Sequence, residues 1–346
     1  MRRRPRDILL VGSFAAPTAE AVFRTVSGAL GNRVRRIPDG ETGDRRLWIR
    51  WQVFAFRDSP SFTLDPNLKG SDYQTDFYML RPGVTAGDVQ YGALGYAENA
   101  LASYAVFSRL KREGVIAPDC RIQISIPPPY NVLDRHVSPK DRLAAEVGYE
   151  RKMFAEIDEI VAAIPKQELA IQWDAAHEVQ NLEGAREGWF DTLEQEEEEI
   201  IDRLVRLGDH IPDGVELGYH LCYGDFGHRH VIEPKDTGLM VRLANKLSER
   251  VRRSIQWIHM PVPRKRSDDA YFAPLSDLRL NPETELYLGL VHHSDGVAGT
   301  RQRIAAAAKV IPDFGIATEC GMGRRDPKTM FELLRVHAEV TDMENA

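Results

Sequence analysis

Long apolar runs are missing from this sequence of 346 residues, because charged residues interrupt every one of them early. A helix that crosses a membrane needs about 20 consecutive apolar residues, so no membrane-spanning segment is expected. The basic residues 1–6 are followed at once by Asp7 and a strand-length apolar run. The apolar run is too short, and polar residues follow it too closely, for a secretory signal. We therefore expect neither export nor a membrane partner.

Cysteine is scarce, with 3 residues in the chain, which is too few for the disulfide framework of a secreted protein. We therefore expect a reducing cytoplasm, in which the thiols stay available for a metal or for chemistry. An excess of positive charge is also lacking, since the formal net charge is −7. Surfaces that bind nucleic acids are usually basic, so small molecules are the expected partners. No feature of the sequence indicates an oligomeric state.

Short apolar runs alternate along the chain with longer amphipathic stretches, a pattern typical of proteins with a parallel sheet covered by helices. The runs predict eight strands, at 7–12, 34–37, 121–126, 168–173, 215–222, 254–259, 285–291 and 315–318. The amphipathic stretches predict helices at 96–113, 144–163, 191–207, 237–252, 300–311 and 328–341.

Eight strands with intervening helices predict a (β/α)8 TIM barrel. Neither an internal repeat nor an interdomain linker is visible, so residues 1–346 are expected to form one catalytic domain. Residues 48–117, after the second strand, exceed what one βα unit requires. They predict an elaboration of loops and helices over the mouth of the barrel.

His220 and Cys222 lie at the end of the fifth predicted strand. Alternate residues of a strand point to the same side, so the imidazole and the thiol leave the strand together. Cys320 follows the eighth predicted strand. Three such ligands with one open position are typical of a catalytic zinc site. The alternative is ordinary packing, because cysteine and hydrogen-bonded histidine are both common in protein cores.

Other polar residues interrupt the ends of further strands. Active sites of such barrels lie at the C-terminal ends of the strands, where these side chains would converge with the cysteines. The residues are Ser13, Glu41, Asp174, His259 and His293. Each one alone also fits an ordinary role as a turn residue, a helix cap or a surface histidine.

The motifs around these residues resemble a known family when they are taken in chain order. They are Val11-Gly-Ser-Phe14, Asp39-Gly-Glu41, Gly87-Asp-Val89, Ile171-Gln-Trp-Asp174, His220-Leu-Cys-Tyr223, His293-Ser294 and Glu319-Cys-Gly321. The series resembles the catalytic, C-terminal barrel of cobalamin-independent methionine synthase and its smaller zinc-dependent thiol-alkyltransferase relatives. The resemblance extends through most of the chain, and its His-x-Cys-Tyr and Cys-Gly elements are the most specific.

The resemblance implies a zinc-dependent, cobalamin-independent methyltransferase or alkyltransferase, which transfers its methyl or alkyl group to or from a thiol. His220, Cys222 and Cys320 match ligands of the family's zinc. The family's glutamate ligand falls near His259. Either His259 replaces the carboxylate, since imidazole is an equally good zinc donor, or the site has three protein ligands.

The resemblance also implies how the thiol substrate is held. Ser13, Glu41 and Asp174 match residues that bind the amino acid part of homocysteine in methionine synthases. Asp39 stands where the family has histidine, and Ala175-Ala176 stands where it has Glu-Pro. A thiol other than homocysteine is therefore compatible with the motifs.

Two further roles complete the predicted site. His293, acting with Asp174, is the predicted catalytic acid, and the alternative for His293 is a surface residue beside His292. Tyr130, in a rigid proline-rich loop after the third strand, is expected to shape the alkyl-donor pocket. A tetrahydrofolate is a candidate alkyl donor or acceptor.

Two other functional classes fit the same residues. One is a zinc hydrolase or lyase, in which a metal-bound water is the nucleophile. The other is a metal-free decarboxylase-like or ligand-binding barrel whose cysteines are simply buried.

Overall fold

The computed structural model describes residues 7–68, 76–224 and 230–342, and ten strands lie within these ranges. They are β1 (Ile8–Leu9), β2 (Arg36–Pro38), β3 (Phe62–Leu64), β4 (Tyr78–Leu80), β5 (Arg121–Ile126), β6 (Leu169–Ala175), β7 (Glu216–Leu221), β8 (Trp257–Pro261), β9 (Glu285–Val291) and β10 (Gly315–Thr318). Eight of them form one sheet in the order β1-β10-β9-β8-β7-β6-β5-β2. Every neighbouring pair in this sheet is parallel. The first two strands of the chain, β1 and β2, lie at the two ends of this sheet order. The sheet therefore curls round into the predicted TIM barrel.

Helices connect the strands and cover the outer face of the sheet. They are α1 (Ala19–Leu30), α2 (Val53–Arg57), α3 (Tyr96–Arg112), α4 (Pro129–His136), α5 (Arg142–Ala163), α6 (His177–Leu182), α7 (Leu193–His210), α8 (Gly238–Arg250), α9 (Asp269–Phe272), α10 (Gly296–Ala307) and α11 (Met330–Asp342). All six predicted helices are present, with ends that differ by a few residues. Across the described ranges, no helix has the length and apolar character needed to cross a membrane.

Local sequence explains where the longer helices begin. Thr18 caps α1 by accepting a hydrogen bond from the backbone N–H of Ala21 at 3.2 Å. Thr192 caps α7 in the same way, through the N–H of Gln195 at 3.2 Å. Such caps stabilise a helix because its first N–H groups have no partner within the helix. The acidic residues that follow Thr192 stabilise α7 further, because the N-terminal end of the helix dipole is positive.

Side chains that point into the barrel form a small buried cluster of their own, made of Leu9, Val11, Ala170, Trp257, Tyr287 and Ala317. Trp257 fills the floor, and Gly218 on the adjacent strand admits it, because any Cβ there would overlap the indole ring. The indole N–H donates to Oε1 of Gln172 at 3.0 Å. The bottom of the barrel is therefore packed.

The segment predicted as an elaboration contains α2, α3 and an antiparallel hairpin of β3 and β4. The prediction of loops and helices missed this hairpin, whose strands have only three residues each. Residues 69–75, inside the same segment, lie outside the described residues. Trp48, Ile49 and Arg50, at its start, line a cavity at the C-terminal ends of the strands.

Candidate active site and metal centre

A cavity of about 600 Å³ opens at the C-terminal ends of the strands. Six residues predicted for the site line it, namely Ser13, Glu41, Asp174, His220, Cys222 and Cys320. Its volume lies within the range of about 300–1,000 Å³ that is usual for pockets that bind small molecules. The fold thus brings most of the predicted residues to one place.

His220, Cys222 and Cys320 offer a cluster of metal-ligand atoms. Their ligand atoms all lie within 4.8 Å of one another, and the two Sγ atoms are 3.7 Å apart. All three cysteines of the chain are free thiols. Two sulfurs bound to one tetrahedral zinc would be about 3.8 Å apart, given zinc–sulfur bonds of about 2.3 Å. The spacing of the two thiols therefore fits zinc coordination.

His259 lies beside this cluster and contacts it through His220. The two histidines are paired in register on adjacent strands, and their Nδ1 atoms are 2.6 Å apart. Nε2 of His259 lies 3.1 Å from the carbonyl oxygen of Thr318, which can only accept, so Nε2 carries the proton. Burial lowers the pKa of His259 to about 3. The ring is therefore neutral, and its Nδ1 is a bare acceptor.

The same chain of hydrogen bonds fixes the tautomer of His220. Because Nδ1 of His259 accepts, Nδ1 of His220 must donate, and Nε2 of His220 is left with a bare lone pair. Burial and the neighbouring His259 lower the pKa of His220 well below its usual range, so its ring is also neutral. Nε2 of His220 is buried and has no hydrogen-bond partner among the described residues. An orphaned basic nitrogen beside two thiols fits a metal ligand.

Glu319, next to Cys320, is buried between two histidines. One of its carboxylate oxygens lies 2.9 Å from Nε2 of His230, and the other lies 3.5 Å from Nδ1 of His292. Burial alone would raise the pKa of Glu319, but the two histidines hold it well below its ordinary value. His292 is itself fixed by donating from Nε2 to the carbonyl of Val262 at 2.9 Å. These contacts restrain the backbone that presents Cys320.

The loop after β1 contacts the segment that follows Cys320. The backbone N–H of Gly323 donates to the hydroxyl of Ser13 at 3.2 Å, and the N–H of Met322 donates to the carbonyl of Ser13 at 2.6 Å. Gly321 packs so closely on Ser13 that an added Cβ would overlap its hydroxyl. The loop that carries Cys320 is thus held directly against Ser13.

Two carboxyl groups that line the cavity have raised pKa values. Burial raises the pKa of Glu41 to about 7, although the charges of Arg45 and Arg324 act against this. Burial, together with the charge of Glu41, raises the pKa of Asp174 well above its usual range. Asp174 also accepts a hydrogen bond from Gln172 at 2.8 Å. When protonated, these two groups can donate a hydrogen bond to a polar substrate as well as accept one.

Glu41 and Trp48 are the non-glycine residues in the described chain that adopt the left-handed backbone region, with φ of 49° and 55°. Both line the cavity. Such conformations cost about 1–3 kcal/mol and concentrate at functional sites. The backbone of Glu41 is held by its N–H, which donates to Oδ1 of Asp39 at 2.9 Å.

Besides His259, two residues predicted for the site lie outside the cavity lining. Nε2 of His293 is 3.1 Å from the exposed carboxylate of Glu332 on α11. Tyr130 is buried, donates to Glu196 and stacks on Trp189 with ring centroids 4.1 Å apart. The structure places His292, the neighbour of His293, against Glu319 instead. The roles assigned to His293 and Tyr130 remain predictions.

Several lining residues were not anticipated from the sequence, above all the arginines Arg50, Arg135 and Arg186. They follow different strands, and no motif links them. His230 was missed for the same reason, because its partner Glu319 is far away in the chain.

No family model and no curated protein matches the chain. Among solved structures, a B12-independent methionine synthase from Shewanella sp. W3-18-1, in complex with selenomethionine, superposes with a TM-score of 0.63 at 14% identity over 99% of this chain and 98% of its own. A methyltransferase from Methanosarcina mazei gives 0.58 at 12% identity over 99% and 95% of the two chains. A putative vitamin-B12-independent methionine synthase from Listeria monocytogenes gives 0.56 at 15% identity over 94% and 86%. The chain thus has the fold of cobalamin-independent methionine synthase-like proteins, in agreement with the resemblance of its motifs.

Proposed function

We propose that this protein is a zinc-dependent methyltransferase, or another alkyltransferase, that acts to or from a small-molecule thiol. The observation that carries the proposal is the cluster of His220, Cys222 and Cys320, whose ligand atoms lie within 4.8 Å of one another beside a cavity. The bare, buried Nε2 of His220 and the 3.7 Å separation of the two Sγ atoms support zinc as the metal.

Three protein ligands would leave one coordination position for a substrate. When bound, zinc would supply a Lewis acid that lowers the pKa of a substrate thiol and keeps it nucleophilic near neutral pH. His259 has both ring nitrogens in hydrogen bonds, so we assign it to the orientation of His220 rather than to the ligand set. Metal-ligating histidines are commonly oriented through their other ring nitrogen in this way.

The cavity residues of this chain would perform the remaining tasks. Ser13, Glu41 and Asp174 line the cavity and would bind the polar end of the thiol substrate. The pKa of Glu41, raised to about 7 by burial, lets its carboxyl group hold a proton and deliver it to the departing atom. The predicted acid His293 pairs instead with Glu332, outside the cavity lining.

The structural neighbours favour the same reaction class. One is named a methyltransferase, and another, a B12-independent methionine synthase, is described in complex with selenomethionine. Because Ala175 and Asp39 depart from the family pattern, we do not restrict the thiol to homocysteine. Trp48 offers a flat face in the cavity, and a methyl-tetrahydrofolate is a candidate donor.

The first test is the metal content of the purified protein, measured by elemental analysis. We expect about one zinc per chain, and its loss in Cys222→Ser and Cys320→Ser. Cys120→Ser is a matched control, because Cys120 is a buried free cysteine that precedes β5 and does not line the cavity. Zinc that survives both site substitutions would refute the proposed centre.

The second test distinguishes thiol chemistry from hydrolysis. In cobalt-substituted protein, a panel of thiols should shift the visible absorption bands if a thiol takes the open position. Transfer of a labelled methyl group to the same thiols, from methyl-tetrahydrofolate and from simpler methyl donors, would then identify the reaction. A cobalt spectrum that no thiol changes would favour the hydrolase or lyase alternative.

A further inference from the structure

A buried carboxylate–histidine pair adjoins the cavity. His177, the first residue of α6, lines the cavity. Its Nδ1 lies 2.7 Å from Oδ2 of Asp134 on α4. Both side chains are buried. Neither residue has a task in the alkyl transfer proposed above.

The contacts of Asp134 show that its carboxyl group is ionised. Its Oδ1 lies 2.9 Å from Arg142 and 3.0 Å from the indole nitrogen of Trp189, and its Oδ2 lies 2.7 Å from Arg186. Guanidinium and indole groups can only donate hydrogen bonds. Burial alone would raise the pKa of Asp134, but His177 and the two arginines hold it well below its ordinary value. Both oxygens of Asp134 are therefore acceptors.

This carboxylate fixes the position of the proton on His177. Because Oδ2 of Asp134 can only accept, Nδ1 of His177 must donate to it. Burial lowers the pKa of His177, although Asp134 acts against this, so the ring is neutral at pH 7. A neutral imidazole has one proton, and Nε2 of His177 is therefore left with a bare lone pair.

Nε2 is the ring nitrogen of His177 that remains for a molecule in the cavity. Within the described ranges, the hydrogen bonds of this ring go through Nδ1, toward Asp134 and Arg186. The backbone N–H of His177 donates to Oδ1 of Asn131 at 2.7 Å, which holds the start of α6 in place. The ring packs edge-on against Trp48, with centroids 5.7 Å apart, and Trp48 also lines the cavity. His177 thus offers a fixed acceptor beside apolar surface.

We propose that Nε2 of His177 accepts a hydrogen bond from an O–H or N–H group of a substrate, with the adjoining apolar part of that substrate against Trp48. A fixed acceptor selects for such ligands, because a ligand without a donor displaces water from the nitrogen and leaves it without a partner. Only the statement that the bound group belongs to a substrate rests on the proposed alkyl transfer. The acceptor itself needs no metal, so it can be tested separately.

The first test uses the unmodified chain without metal. ¹⁵N NMR should show a proton on Nδ1 of His177 and none on Nε2, with the signals identified by their loss in His177→Leu. Calorimetry then compares indole, which has an N–H donor, with benzofuran, which has nearly the same shape and lacks that donor. Indole should bind at least about fivefold more tightly, the factor expected of one neutral hydrogen bond. A proton on Nε2, or equal binding of the two probes, would overturn the inference.

The second test removes the acceptor. In His177→Leu, the preference for indole over benzofuran should disappear. His210→Leu is the matched control, because His210 also pairs with an aspartate, Asp158, at 2.9 Å but does not line this cavity. A preference for indole that survives in His177→Leu would show that another group binds the N–H, and the inference would fail.

The third test reverses the polarity of the histidine. Asparagine at position 134 has one oxygen that accepts and one NH₂ group that donates. The oxygen should face Arg142 and Trp189, which can only donate, so that the NH₂ group faces Nδ1 of His177. Arg186 has a partly exposed side chain and can bond to water instead. Nδ1 must then accept, and the proton moves to Nε2, as expected when an aspartate that orients a histidine is replaced by asparagine.

In Asp134→Asn, the affinity for indole should therefore fall, and that for quinoline, whose ring nitrogen can only accept, should rise. Asp158→Asn, at the partner of His210, is the matched control. A folded Asp134→Asn variant that keeps the proton on Nδ1 would contradict the proposed geometry. If this variant does not fold, the comparison of indole with benzofuran in the unmodified chain and in His177→Leu decides the question.

A last set of measurements separates this inference from the proposed function. Cys222→Ser should leave the preference for indole unchanged. Zinc binding without that preference would refute the acceptor alone, and the preference without zinc would refute the metal centre alone. In zinc-loaded protein, His177→Leu should raise KM for the substrate that carries the donor group and leave KM for the other substrate unchanged.

Discussion

Replacement of His259 by leucine should weaken zinc binding, although His259 is not a ligand in the proposed centre. Leucine removes the group that accepts a hydrogen bond from Nδ1 of His220 at 2.6 Å. The donor of the bond to Thr318 at 3.1 Å is lost as well. Without the acceptor, nothing keeps the proton of His220 on Nδ1, and the ring can place it on Nε2, where it would block the ligand atom.

The magnitude follows from the kind of contact that is removed. Loss of a hydrogen-bond partner that orients a metal-binding histidine lowers metal affinity about 10- to 100-fold. This factor corresponds to about 1.4–2.7 kcal/mol. His259→Asn is the matched control, because its amide oxygen can occupy the position of Nδ1 and accept from His220. We expect its zinc affinity to stay within a few-fold of that of the unmodified protein.

Zinc affinity would be measured by competition with a chromophoric chelator, and the tautomer of His220 by ¹⁵N NMR of the metal-free protein. The leucine variant should bind more weakly and show a mixture of tautomers, and the asparagine variant should show neither change. Unaltered zinc affinity in the leucine variant would refute the role of His259. If both variants lose affinity and X-ray absorption shows one nitrogen ligand fewer, His259 is a ligand itself.

Three further predictions concern the carboxyl group of Glu41 and two glycines. Because burial raises the pKa of Glu41 from its ordinary value of 4.5 to about 7, the folded state holds more protons than the unfolded state between these pH values. The stability contributed by this group is therefore lost as pH rises through that window. In Glu41→Gln, the free energy of unfolding, measured with urea at pH 5 and pH 8, should depend less on pH than in the unmodified protein. Gly321→Ala would force Ser13 to turn away from Gly323, and we expect about 1–3 kcal/mol lower stability by urea titration. Gly28→Ala, in α1 with no atom near the added Cβ, should instead raise stability by about 1 kcal/mol in the same assay.

The barrel was predictable because its determinants are local. A strand buried between a core and a layer of helices reads as a short apolar run, and all eight runs became strands of the sheet. The hairpin of β3 and β4 escaped prediction because its strands are short and only one residue in each is buried. Neither hydrophobic periodicity nor a tight turn motif marks such strands.

The ligand cluster was predictable in part for a simple geometric reason. Strand alternation places His220 and Cys222 on one side, and parallel strands bring Cys320 to the same edge. The role of His259 depends on the register between β7 and β8 and on a carbonyl of β10. The spacing of residues in the sequence shows neither the register nor the position of that carbonyl. A zinc ligand and a residue that orients a ligand could therefore not be distinguished from the sequence.

The two histidines after β9 show where alternation stops being informative. The strand ends at Val291, and beyond it the backbone no longer alternates regularly. His292 turns to Glu319, while His293 turns to Glu332 on the surface. The motif match favoured His293, because a motif gives position in the chain but not the direction of a side chain outside regular structure.

The spacing of the two cysteines depends on the barrel, because β7 and β10 are not neighbours in the sheet. Gly289, on β9 between β8 and β10, controls how closely the flanking strands approach. A Cβ at this position would lie 2.7 Å from Cα of Glu319 and 3.0 Å from Cα of Pro261. Backbone on both sides leaves no side chain that could move away, so only glycine allows this approach. Glu319 precedes Cys320, so a larger residue at position 289 would displace the backbone next to Cys320 and should change the 3.7 Å separation of the two Sγ atoms.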